Sequence, residues 1–150
     1  MQAANLSEPV ESPLVRVQRS FARQGMMQSL GARLVRVEPG LCVVSLPYSG
    51  KVTQQQGSFH GGAIGALADI AAGYAGLTQA PAGMEVTAVE YKINFLAAFE
   101  GGELRATGRV VRAGKRVMVT SAEVMHVDAD GQERACALMQ QTLMPVPRIY

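Results

Sequence analysis

The chain contains no tryptophan and only four tyrosines and four phenylalanines in 150 residues. It therefore offers no ready surface for stacking nucleic-acid bases. An excess of charge of one sign is also missing. Fourteen Lys and Arg against twelve Asp and Glu leave a net charge of +2, which argues against a dedicated nucleic-acid binder. Cysteine is scarce: Cys42 and Cys136 stand alone, with no CxxC, in strand-like runs (LCVVSL and ACALMQQTL) where a small buried thiol is the ordinary reading. The two histidines, His60 and His126, show no ligand spacing, so no metal site is expected. The opening MQAANLSEPVESPLV lacks the basic start and apolar block of a secretion signal. The longest apolar run, residues 61–77, is short for a bilayer span and is interrupted by Asp69 and several glycines. Neither a P-loop nor GxGxxG occurs, which excludes the usual nucleotide cradles. The expectation is a cytoplasmic protein that meets neither membrane nor nucleic acid.

What the chain does have is apolar content, at 48%, enough for one compact domain. Residues 1–11 read as a flexible leader and 12–150 as that domain. Ser12-Pro13 opens a helix, with Ser as cap and Pro in the first turn. Leu14, Val17, Phe21 and then Met26 to Leu30 continue an amphipathic segment to Gly31. ARLVRVEPG and LCVVSLPY then alternate about a Pro39-Gly40 turn as a hairpin. The polar stretch 48–59 reads as a loop. The apolar run that follows it is long enough to favour helix over strand, and alanine dominates it. Four strand-like segments complete the chain, beginning with VTAVEYKINFLAAF and turning at Ala113-Gly114 and Asp130-Gly131. This order predicts an α+β architecture with an N-terminal helix and a long apolar helix packed on an antiparallel sheet. A helix with no hydrophilic face needs cover on nearly all sides, so a homo-oligomer is expected.

Asp69 is the only ionisable side chain except Tyr74 within that apolar run. A buried charge is costly unless paired, wet or functional. His60, Gly61 and Gly62 form the helix start, where unpaired N–H groups and the positive end of the macrodipole favour developing negative charge. Amide donors that polarise a carbonyl, together with a carboxylate that activates water, are the minimum equipment for hydrolysing an acyl compound. At 1.5 Å per residue, however, Asp69 lies roughly 12 Å along the axis from the Gly61 amide. Two antiparallel helices in a symmetric dimer would bring Asp69 of one chain to Gly61 of the other.

The pattern HGGxxxxLAD, followed by VEYKINFLAA and GRVVRAGKRV, resembles the hotdog-fold acyl-CoA thioesterases of the phenylacetate-degradation (PaaI) type, over about residues 30–145. The resemblance implies a six-stranded antiparallel sheet wrapped around the central helix, and hydrolysis of an acyl-CoA thioester. It implies Gly61 as the amide that binds the thioester carbonyl and Asp69, from the facing subunit, as the group that directs water, as general base or as nucleophile. Where relatives carry an asparagine this chain has Gln54, with Gln55 and Gln56 as neighbours able to replace it. A water-holding hydroxyl falls at Thr87, unless the register puts Ala88 there. His60, Gly62 and Phe59 are expected to border the substrate, with His60 also tying the loop to the helix start. Arg112, Lys115 and Arg116 around the Gly114 turn are candidates for the coenzyme A phosphates. No cofactor is implied, since coenzyme A belongs to the substrate, and either a dimer or a dimer of dimers is compatible. Two alternatives stand beside this: a hotdog hydratase or dehydratase, and a non-catalytic acyl-CoA-binding module.

Overall fold

The computed structural model describes residues 11–150, so residues 1–10 of the expected leader lie outside the described residues. Glu11 pairs with Arg19 at 2.7 Å and Arg148 at 3.6 Å. The Ser12 hydroxyl accepts from the Val15 N–H at 3.3 Å and caps α1 (Pro13–Phe21). The amphipathic segment expected to run to Gly31 is instead two helices, because the chain breaks after Ala22 and restarts as α2 (Gly25–Leu30). Gln28 Nε2 donates to the Ala22 carbonyl freed by that break, and Gly31, at φ +81°, ends α2 in the left-handed conformation that glycine adopts without strain.

The remaining elements are β1 (Arg33–Glu38), β2 (Leu41–Pro47), α3 (Gly61–Leu77), β3 (Met84–Phe95), β4 (Glu103–Ala113), β5 (Met118–Val127) and β6 (Glu133–Pro147). All six strands join one antiparallel sheet in the order β1-β2-β4-β5-β6-β3. The two tight turns make β4, β5 and β6 consecutive hairpins, whereas β3 crosses to the far edge and pairs only with β6. The sheet curls around α3, whose Ala68, Ala71, Ala72 and Ala75 are fully buried. Short side chains are required here. A Cβ on Gly108 of β4 would lie 2.1 Å from the Ala71 carbonyl oxygen, so only glycine lets the helix approach this closely. Gly108→Ala should lower stability by about 1–3 kcal/mol, read as a reduced urea midpoint at unchanged slope.

Helix α1 is fastened to this core by a buried arginine. The Arg16 guanidinium donates to the carbonyls of Ala80 (2.7 Å), Pro81 (2.5 Å) and Met84 (2.5 Å), closing the turn between α3 and β3. The face of α3 that the sheet leaves partly open is a narrow strip at helical spacing: Gly62, Ala66, Asp69 and Gly73. Edge strand β3 exposes Val89, Tyr91 and Phe95. Cys42 and Cys136 are buried free thiols, and burial pushes them up to about 12 and about 11, which leaves them inert as nucleophiles. Among the described residues no helix is long and apolar enough to cross a membrane.

Candidate active site

The start of α3 presents one amide. His60 is the N-cap, and its Nδ1 accepts from the Gly62 N–H at 2.8 Å. The Ala63 and Ile64 amides are taken by the His60 carbonyl. Among the described residues the Gly61 N–H has no hydrogen-bond partner. The loop before it is held rigidly, with the Phe59 N–H on the Phe99 carbonyl (2.9 Å) and the His60 N–H on the Val52 carbonyl (2.7 Å).

Asp69 lies two turns further on, half-buried, and none of the ion pairs among the described residues includes it. Its Oδ1 accepts a hydrogen bond from Gln141 Nε2 of β6. Burial raises its carboxyl above the ordinary carboxylate value, and the Gln141 donor partly opposes this. A carboxylate made more basic in this way is better able to take a proton from water. Asp69 borders a cavity of about 170 Å³ whose other walls include Ile70, Gly73 and Tyr74 of α3, Ser20 of α1, Gln24, and Glu85 to Ala88 of β3. That volume is close to that of a dry cavity able to hold a benzene ring.

Residues 56–131 match the thioesterase superfamily. The chain belongs to that superfamily. A solved thioesterase family protein from Silicibacter pomeroyi is 36% identical, with a TM-score of 0.87 over 91% of this chain and all of that one. The acyl-coenzyme A thioesterase PaaI of Escherichia coli is 31% identical over 71% of this chain and 74% of its own length. The 1,4-dihydroxy-2-naphthoyl-CoA hydrolase of Listeria monocytogenes is 31% identical over 67% and 81%. The sheet curled around α3 is accordingly the hotdog fold.

Within this hotdog thioesterase several expected site residues move. Phe59, expected beside the substrate, is only 4% exposed, because its ring packs edge-on between Tyr48 (5.2 Å) and His126 (6.4 Å) as part of the core. Phe95 is the aromatic ring near the helix start, 3.2 Å from where a Cβ on Gly61 would stand. The Gly62 amide is spent on the His60 cap, so a single glycine N–H remains. Gln54 folds its own turn: its side-chain oxygen accepts from the Gln56 N–H and its backbone N–H donates to the Ser58 carbonyl at 2.9 Å.

Thr87 and Ala88 both border the Asp69 cavity, but alternation separates their side chains. Ala88 pairs with buried Leu143, and Val86 packs on the core, whereas Thr87 pairs with exposed Met144. The hydroxyl expected at Thr87 therefore points to the opposite face of the sheet, and alanine stands on the helix side. Arg112, Lys115 and Arg116 are exposed around the β4–β5 turn, where they border a shallow concavity of about 400 Å³. The ladder Met118–Leu143–Ala88 places this turn at the same end of the sheet as the Asp69 cavity. His126 is a core residue, with Nε2 3.0 Å from the Gly101 carbonyl and its ring stacked on Phe99 at 4.4 Å. Gln141 is the residue that sequence reasoning missed. It sits within the strand MQQT, where neither glutamine is marked out by the pattern.

Proposed function

We propose that this protein hydrolyses an acyl-CoA thioester to the free acid and coenzyme A, in sites shared between two antiparallel copies of α3. The observation that carries the reading is Asp69: a half-buried carboxylate without a counter-charge, centred on the one strip of α3 that its own sheet leaves open. The small residues of that strip suit close approach of a second helix, and the long unpaired edge of β3 suits continuation of the sheet into a partner. Pairing the helices in this way brings the partner chain's free glycine amide to the Asp69 cavity. The names of the Escherichia and Listeria relatives, both acting on coenzyme A thioesters, agree with this substrate class.

In the proposed reaction the thioester carbonyl accepts from the Gly61 N–H at the start of the helix, so that the macrodipole stabilises the oxyanion. Asp69 takes a proton from water as its oxygen bonds to the carbonyl carbon. Collapse of the adduct breaks the C–S bond, the coenzyme A thiolate leaves, and the proton held by Asp69 returns to it. Water and protein groups suffice, and coenzyme A enters only as part of the substrate. Arg112, Lys115 and Arg116 would meet its phosphates beside the cavity mouth.

Thiol release measured over aryl, short and long acyl-CoAs tests this directly. Turnover of at least one class is expected, best for acyl groups no larger than one ring. Tight binding without thiol release across the whole panel would overturn it.

A further inference from the structure

We propose that Thr120 and Gln141 are positioning residues for Asp69, forming a buried hydrogen-bond relay from sheet to helix that fixes the carboxylate's orientation. The inference rests on Asp69 being the reacting carboxylate of the proposed site. Thr120 of β5 and Gln141 of β6 are register partners, and both are fully buried. Gln141 Nε2 donates to Asp69 Oδ1, and Thr120 Oγ1 lies 3.3 Å from Gln141 Oε1.

The chemistry allows one direction only. An ionised carboxylate accepts and never donates, so Gln141 must turn its NH₂ toward Asp69. Its oxygen then faces Thr120, which must donate its hydroxyl proton. A primary amide in a dry core is costly unless satisfied, and here one group on each side satisfies it. The rotamer of Gln141 is thereby locked, and with it the position of Oδ1. The second oxygen of Asp69 stays available on the cavity side.

The surroundings provide no substitute. Around the Asp69 cavity, α1 and the segment after it contribute Ser20 and Gln24, both neutral. Strand β3 contributes Glu85, a second carboxylate, which accepts from Ser20 (3.4 Å) and Tyr150. Tyr74, on Asp69's own helix, donates to Ser20 at 3.2 Å. No cation lines this cavity. Burial disfavours the Asp69 anion, and Gln141 is the side-chain donor that opposes it.

Gln141→Leu keeps the bulk and removes the donor. The expected result is a kcat about 10- to 100-fold lower, by analogy with the loss on removing the hydrogen-bond partner that orients a metal-ligating side chain. KM should change little, and the acid limb of the kcat/KM profile should move to higher pH. Thr120→Val should move that limb the same way by less, and Thr120→Ser, which restores a hydroxyl, should return it. Carbon-13 titration of the Asp69 carboxyl provides a readout that needs no substrate. If Gln141→Leu does not fold, the two Thr120 variants decide. Should Asp69→Asn turn over thioesters as wild type does, the site reading fails. Should Asp69→Asn be inactive while Asp69 titrates and the enzyme turns over normally without the relay, this inference fails alone.

Discussion

Asp69→Asn should cost about 10²- to 10⁴-fold in kcat, the usual contribution of a positioned acid–base group, while leaving the fold intact. The amide is nearly isosteric, and its oxygen can still accept from Gln141. The substitution should also stabilise the protein at neutral pH. Burial raises the folded-state carboxyl above its ordinary 3.8, so the native state holds this proton more tightly than the unfolded chain does. Between the unfolded and folded values the native state carries more protons, and stability falls as pH rises through that interval. Above it the cost of a charged, half-buried carboxylate is fully present, and asparagine removes it. The advantage of the variant in thermal midpoint should therefore be absent below pH 3.8 and grow as pH rises above it. A variant that loses activity and stability together, or keeps most of its turnover, would contradict this role.

Gly61→Pro should cost about 10²- to 10³-fold, the loss expected on deleting one oxyanion donor. Proline removes the one N–H without dismantling the helix, because Gly61 is the first helical position, where proline is well tolerated. His60 already has the extended conformation (φ −69°, ψ 136°) that a residue before proline adopts. Crowding would fall on Phe95, a half-exposed ring free to turn. The pair of variants then distinguishes shared from self-contained sites. In a mixed dimer of Asp69→Asn and Gly61→Pro chains, one site keeps both groups and the other has neither. Co-refolding equal amounts should restore about one quarter of wild-type activity if sites are built across a two-fold axis. Sites contained within one chain would give no recovery.

The scaffold was largely legible in the residues, because its signals are local. A serine-proline start, period-two alternation, glycine turns and an alanine-rich run each act within a few residues. Asp69 was legible for the same reason, as the lone acid in an apolar stretch. Gln141 was not. The ladder between β5 and β6 slips beside Val124, and Cys136 and Ala137 are consecutive yet both buried, so the phase of β6 changes at that irregularity. Only after the slip does Gln141 rather than Gln140 face the helix, and a slip of one residue reverses every later side chain. The facing of Thr87 and Ala88 likewise depended on the register against β6, which composition does not carry. Phe59 misled because its loop is polar in sequence, while the ring itself is folded back under Tyr48 and His126.

The crossing of β3 to the far edge of the sheet also bears on how the chain acquires its structure. Its pairing runs from Met84 with Pro147 to Phe95 with Ala137. On a ribosome, this edge strand would emerge with no neighbour to accept its hydrogen bonds until more than forty further residues had followed. The wall of the Asp69 cavity is therefore among the last parts to assemble, by contacts of high sequence separation that form slowly. Trimming the C-terminal strand would therefore strip the cavity of its β3 wall as well as of Leu143.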